Sequence, residues 1–484
     1  MIIPRRKIHL YKKDPENDYS WSSDYEDITD SVSISESSGI ESRKDVFSFR
    51  VINRINHTGS HNSLMGLSDE LLNRFKIRDN IKIYLWNGNE PADINDSLIM
   101  DGLIDNLSYD TNEDTKVINI GGANRTEILL NNMVPTVVGS SSTVPGQTPA
   151  EIITGIIQKV NSFNTGKNIA VALDSEPLYG EHNGKKYLLS TAGSIQSKHG
   201  NGTAFEYIQY SQNWKNAYEQ IEELSSPEQV DPTGSFRTEG GFIFDIVNKE
   251  YVTPEGDTLH FNVARWRNKP TAVTGSIIET TSSGSGFSTS KLSKGTFDVI
   301  NAAIIAGGNN LTGGGVLRVV YNPKSMGRLG ARWKFIPLVK TFDSIYNQEA
   351  PNITDADGDR FPDSYPYTFK TVNSGSVVAN NSEFNNTLVG ETSIQIKDIG
   401  QGIVDLLGDA RFKAEYELYW GSTDFLNGQL YYLQSPSFGW YGTTRNPGKN
   451  LRLVNQSHTF DLNGWKTTLF FEEDEKVVSD LVNP

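Results

Sequence analysis

From Asp27 to Ser35 the chain alternates, with Ile28, Asp30, Val32 and Ile34 on one side and small polar residues on the other. Period-two spacing is the mark of a half-buried strand, so one face is expected to meet a core. Further strand-like runs follow at 46–52, 81–86, 98–107 and 116–120. They are separated by the turn formers Asn87-Gly88-Asn89 and Thr111-Asn112-Glu113-Asp114. Short strands at this spacing predict a small antiparallel barrel or sandwich over residues 1–137.

The pattern then changes. Residues 138–147, with Gly-Ser-Ser-Ser-Thr and Val-Pro-Gly, bury little apolar area and read as a linker. Thr148, Pro149 and Glu151 give the start signals of a helix, a capping box with proline in the first turn. Behind them Ile152, Ile153, Ile156, Ile157 and Val160 form one apolar stripe. A second helix is predicted where Trp214, Ala217, Tyr218, Ile221 and Leu224 recur at spacings of three and four, ending at Ser226-Pro227. Its expected partner is a sheet formed by 241–247 and 258–263, giving an α+β middle domain over 138–292. The Gly/Ser stretch at 282–290 marks the next boundary.

From Thr296 the strand pattern returns, and 293–319 together with 396–484 are expected to form a second barrel. Residues 320–395, rich in Asn, Asp, Ser and Pro, read as an irregular insertion. Residues 399–407 look helical, and strands are predicted at 412–419, 429–433, 451–460 and 466–471, with Asn463-Gly464 as the turn between the last two. The hairpin at Asp105–Ile118 is echoed at Asn455–Leu469. Either all hairpins look alike at this length, or two related barrels flank the middle domain. The predicted class is therefore mainly β with α+β parts.

Composition narrows the chemistry. A chain of 484 residues exceeds what one core organises, and its 36% hydrophobic content is that of folded domains. No cysteine occurs, which excludes disulfides, thiolate metal sites and cysteine nucleophiles. Neither a signal-type apolar region after the basic start nor a bilayer-spanning run is visible, so a soluble product made in a cytoplasm is expected. A net charge of -15 argues against a duplex-DNA binder.

Candidate sites mostly dissolve on inspection. His57 and His61 lie in a polar loop and lack the glutamate of a zinc protease motif. His458 reads as a packed core histidine. Thr165-Gly166-Lys167 lacks the first glycine and the hydroxyl of a phosphate loop, and no Gly-x-Ser-x-Gly elbow occurs. No catalytic residue and no organic cofactor is assigned. The one sharp motif is Asp355, Asp357, Asp359 and Asp363, at the first, third, fifth and ninth places of a calcium loop. Arg360 stands in place of the usual glycine and Pro366 in place of the last acid, so an acidic solvated loop is the competing reading.

Asp101-Gly102-Leu103-Ile104-Asp105, then Ile118 to Thr126, then the helix from Pro149, resemble the N-terminal half of phage tail baseplate central hub proteins. Trp214–Leu224 followed by Gly241–Asp245 is similar to that family's middle domain. His458-Thr459-Phe460, Gly464 and Lys466–Leu469 are similar to its closing hairpin. The order of these features carries the resemblance, which spans most of the chain except the insertion. It implies two tube-like barrels per subunit, paired edge to edge in a homotrimer as a pseudo-sixfold ring in the tail of a virion. The implied partners are the tail tube protein, central spike protein, tape-measure protein and baseplate wedge proteins. DNA would only pass through the lumen, where a negative wall lowers adhesion to phosphate. A rival reading is a carbohydrate-binding or glycan-degrading β protein, with aromatics such as Phe438–Tyr441 or Tyr365–Tyr367 stacking on sugars.

Overall fold

The structure is a computed structural model. It describes residues 4–473 apart from several stretches, of which 55–73, 226–240, 350–369 and 372–399 are the longest. Asp355, Asp357, Asp359, Asp363 and Tyr365–Tyr367 all fall outside the described residues.

The chain is mainly β. Strands β1 (Pro4–Asp14), β2 (Asn17–Asp27), β3 (Ser31–Gly39), β4 (Val46–Arg54), β5 (Asn80–Asn87), β6 (Leu98–Thr111) and β7 (Thr115–Asn124) form a first group. The runs at 46–52, 81–86, 98–107 and 116–120 are strands as expected. β1 and β2 escape a reading of alternation. In β1 the buried Ile8 and Leu10 lie among Arg5, Arg6, Lys7, Lys12 and Lys13, whose charge masks the apolar face.

A second group is β15 (Val273–Ile278), β16 (Phe287–Gly295), β23 (Arg411–Leu418), β24 (Leu430–Gln434), β25 (Lys449–Asp461) and β26 (Gly464–Glu473). Gly464, at φ +114°, closes the predicted turn. Both groups belong to one 13-stranded sheet. Spatially the first runs β1-β5-β6-β7-β4-β3, with β2 outside β1, and the second runs β15-β24-β25-β26-β23-β16. Strand for strand, in chain order and in space, the two orders are the same. A single connection differs: β1 is antiparallel to β5, whereas β15 is parallel to β24.

The match extends to irregularities. β6 bulges against β7 between Ile104 and Asn106, and β25 bulges against β26 between Leu453 and Asn455. β3 shifts register on β4 between Ser31 and Ser33, and β16 shifts on β23 between Phe287 and Thr289. Each of β3 and β16 has 9 residues and ends in glycine, Gly39 or Gly295. Bulges are specific features of a strand, so their coincidence sets a residue-level alignment: Asn106 takes the place of Asn455, and Gly295 that of Gly39. The two hairpins of the sequence echo hold the same place in the two strand orders, but the bulges set Ile118 against Thr467, where the echo sets it against Leu469.

Each group wraps a core. Ile8, Leu10, Phe47, Phe49, Ile83, Ile118 and their neighbours form the first, while Tyr416, Leu433, Leu453 and Phe471 are central to the second. The sequence pattern predicts a barrel or sandwich over 1–137 and a second barrel toward the C-terminus; both groups are mainly antiparallel β layers around a core, and among the described residues no ladder closes either one. In the first, the gap between β1 and β3 is spanned by a side chain: Arg6 Nε donates to Ser31 Oγ at 2.8 Å.

Between the groups lie helices α1 (Glu127–Leu130), α2 (Pro149–Phe163) and α3 (Ala217–Ser225). The capping box is present, with Thr148 N donating to Glu151 Oε2 at 2.8 Å and Glu151 N to Thr148 Oγ1 at 3.3 Å. The isoleucine stripe of α2 and Ile221 and Leu224 of α3 share one core with Phe242, Ile246 and Trp266. The latter belong to β13 (Phe242–Val252) and β14 (Thr258–Asn268), which pair with each other, and β14 also pairs with β9 (Ile169–Ala170). Trp214 departs from expectation. It sits at φ +52° in β12 (Ile208–Asn216), 62% exposed, and the helix starts after Asn216, whose Oδ1 accepts from Tyr218 N at 2.8 Å. An Asx cap there starts the helical period one turn later than the apolar spacing suggests.

β12 pairs with β8 (Met133–Val138) and β20 (Lys340–Phe342), and β10 (Leu178–His182) pairs with β11 (Lys185–Ser190). The expected second barrel includes 302–319. Instead β17 (Ala302–Asn309) pairs with β18 (Gly315–Tyr321) and, in parallel, with β19 (Trp333–Pro337), forming a separate sheet. Nor is the insertion irregular at its start: Asn322 caps α4 (Pro323–Leu329) by accepting from Ser325 N, with Pro323 in the first turn. The remaining pair in this region is β21 (Gln348–Glu349) with β22 (Lys370–Thr371). Of the expected helix at 399–407, residues 400, 401, 404, 405 and 407 are helical.

Candidate assembly interface

The two groups meet through one ladder. β25 is long enough to serve two neighbours on one edge: residues 449–452 pair with β24, the chain bulges, and residues 455–460 pair antiparallel with β3. The partners are Asn455 with Gly39, Ser457 with Ser37, His458 with Glu36 and Phe460 with Ile34. Gly39 is needed here, because a Cβ at that position would lie 2.6 Å from the Val454 carbonyl oxygen.

Side chains reinforce the join. Phe460 and Trp465 of the second group lie in the core of the first, and the Arg6 guanidinium stacks 4.9 Å from the Phe460 ring. Asn427 Nδ2 donates to Ser38 Oγ at 3.0 Å, and Asn87 Nδ2 to the Gly421 carbonyl at 2.7 Å. Gly421 has no room for a side chain, since its Cβ would fall within 1.9 Å of the Trp465 ring.

The middle of the ladder is polar and dry. Glu36 and His458 are each 1% exposed. The Trp465 indole N–H donates to His458 Nδ1 at 3.3 Å, and Thr467 Oγ1 lies 2.8 Å from the same nitrogen. Burial lowers the His458 pKa to about 4, so the ring is neutral at pH 7. Glu36 is pushed well above its ordinary range, first by burial and then by the charge of Asp45, with Ser38 acting in the opposite sense. Asp45 rises to about 6 through burial, moderated by hydrogen bonds from Gly39 N at 2.9 Å and Asn124 Nδ2 at 2.7 Å. Few charges survive where the halves meet.

A second buried cluster ties the first group to the middle region. Arg125, 1% exposed, donates to Asp101 at 3.0 Å, to Asn80 at 3.0 Å and to Asn262 of β14, and lies 4.5 Å from the Trp21 ring.

The four aspartates of the calcium-like motif lie outside the described residues, and among the described residues no three His, Asp or Glu gather as a metal site. A groove of about 460 Å³ near α2 is lined by Glu176, Glu181, Lys186 and Phe261 among others. Phe438 and Trp440, candidates for sugar stacking, instead pack on each other and, for Trp440, on Phe412, while Tyr441 stays exposed. His458 is the packed histidine expected. Its partner Glu36 continues, two positions on, the alternating face of Ile28 and Ile34, and that spacing is the signal for its burial.

No family model and no curated protein sequence matches the chain. Solved structures do. The tail protein from Neisseria meningitidis MC58 aligns at TM-score 0.49 and 9% identity, covering 99% of this chain and 99% of that one. The 43 kDa tail protein of prophage MuSo2 from Shewanella oneidensis aligns at 0.43 and 10% identity over 96% and 98% of the two chains. Prophage tail protein gp18 from Listeria monocytogenes EGD-e aligns at 0.40 and 9% identity over 98% and 97%. No helix among the described residues is long and apolar enough to cross a membrane.

Proposed function

We propose that this chain is a non-catalytic hub subunit of a phage-type tail baseplate, three copies of which close a pseudo-sixfold ring between the tail tube and the central spike. One observation carries the reading: two groups of the same strand order are joined edge to edge by the β3–β25 ladder into one sheet. A chain built of two like units, joined by a contact that is not self-complementary, is the repeating piece of a ring; repeating that contact either closes or runs on as a filament. The resemblance of the Asp101–Thr126, Trp214–Asp245 and His458–Leu469 segments to hub proteins supports the same assignment. In it the tail tube, spike, tape-measure and wedge proteins are neighbours, and DNA passes the lumen without being held. The net charge of -15 fits that passage.

Native mass measurement of the purified chain, followed by imaging of the ring, tests this. A mass of three chains with six similar lobes is expected. A monomer, or a closed assembly of another copy number, overturns it. Glycan turnover by the pure protein would favour the rival reading.

A further inference from the structure

We propose that residues 106–111 of β6 pair antiparallel with β16 of a second copy of this chain, in the register that β25 uses on β3; the inference rests on the ring reading and gives it its contact.

The internal ladder is the template. By the coincident bulges, residues 106–111 of β6 stand where residues 455–460 of β25 stand, and β16 stands where β3 stands. In the chain itself β25 and β3 have found each other. Their counterparts have not: β5 covers β6 only over residues 98–103, and β16 pairs with β23 alone, so among the described residues both outer edges lack a strand. Unpaired edges are a hazard that proteins cover.

Exposure follows the same division. His458 is 1% exposed where its strand pairs beside β3, while Tyr109 at the corresponding place is 43% exposed. Glu36 and Ser38 are buried, while their counterparts on β16, Leu292 and Lys294, are half-buried and exposed.

Transferring the register sets Asn106 opposite Gly295 of the second copy, Ser108 opposite Ser293, Tyr109 opposite Leu292 and Asp110 opposite Lys291. The chemistry of these pairs is complementary. Tyr109 gains an aliphatic neighbour, and Asp110 and Lys291 place opposite charges directly across the strands, a favourable cross-strand pair. Lys291 now reaches Glu415 of β23 at 2.9 Å, and Asp110 accepts from Asn119 Nδ2 of β7 at 2.8 Å, so on pairing each adds or exchanges a partner held on its own sheet. Gly295 repeats the small residue that Gly39 supplies where the partner strand bulges. The contact is heterologous, β6 of one copy to β16 of the next, so every copy presents one edge of each kind and the ring can close.

The absence of cysteine makes the test clean. Residues opposed in an antiparallel pair sit about 4.5–5.5 Å apart at Cα, within disulfide range. Ser108→Cys and Ser293→Cys chains, prepared separately and mixed under mild oxidation, are expected to form covalent pairs containing one chain of each. The internal equivalent, Ser37→Cys with Ser457→Cys in one chain, should close within that chain and calibrates the register. Asp110→Lys, an exposed change, should weaken association at least tenfold. An oligomer in which the Ser108→Cys and Ser293→Cys chains do not crosslink to each other, or in which two Ser108→Cys chains link instead, overturns this ladder while leaving the ring reading standing. A chain monomeric at every concentration overturns both.

Discussion

Glu36 and His458 face each other across the ladder that joins the two halves, both removed from water and both shifted toward their neutral forms. A carboxyl whose pKa is raised binds its proton more tightly in the folded state. Its contribution to stability is therefore lost as pH rises from the ordinary value of 4.5 toward the folded value. Glu36→Gln, which keeps the shape and cannot ionise, is expected to melt higher than the native chain at pH 8 and close to it at pH 4.5. Thermal melts at the two pH values check this; a penalty of the same size at both would show that the carboxyl is held by interactions its charge does not control.

His458 works in the opposite direction. Its folded pKa, about 4, lies below the ordinary 6.5, so unfolding takes up a proton between those values and stability falls as pH drops through the window. His9 and His260, also lowered to about 4 mainly by burial, add to the effect, while Asp45, raised to about 6, opposes it. His458→Gln should reduce proton uptake on unfolding at pH 5 by about one. Calorimetry in buffers of different ionisation enthalpy measures that number directly.

Arg125 is fully buried with its charge met by Asp101 and its remaining donors by Asn80 and Asn262. Arg125→Met leaves the Asp101 carboxylate in a half-covered pocket without its cation, at a cost of roughly 3–5 kcal/mol. The double variant Arg125→Met, Asp101→Asn is expected to recover a substantial part of it. Denaturant midpoints of the two variants decide.

At the join, Gly39→Ala drives a methyl against the Val454 carbonyl oxygen and the Asn455 backbone, which cannot swing aside as a side chain would. Hydrogen exchange should accelerate in β3 and in residues 455–460, while the β13–β14 hairpin, which belongs to a different sheet, keeps its protection.

Thr148→Ala removes the cap of α2 and is expected to cost about 1 kcal/mol, seen as a lower denaturant midpoint with unchanged slope. Thr148→Ser should behave as the native chain.

Local rules read well in this sequence. The α2 capping box, the Asn463-Gly464 turn and the strands from β4 to β7 follow from spacing, since each is decided by neighbours within a few positions. What spacing does not carry is pairing at a distance. β1 is hidden because its charged residues outnumber Ile8 and Leu10, and Trp214 fits a helical stripe from which an Asx cap excludes it. Residues 302–309 have the pattern of a barrel strand, but a parallel partner at 333–337 claims them. Glu36 lies two positions beyond Ile34 on the face that period two turns toward a core, but that a strand as distant as β25 pairs beside it is not in the spacing.

Ser37 and Asn455, in contact across the join, are 418 positions apart. At a synthesis rate of roughly 5–20 residues per second, β3 leaves the ribosome about 20–80 s before the strand that covers it exists. For that interval the nascent chain displays a bare edge, and a neighbour on the same message that has just made its β25 bears the complement before its own join has closed, so swapped dimers are a hazard of translation that rises with ribosome density.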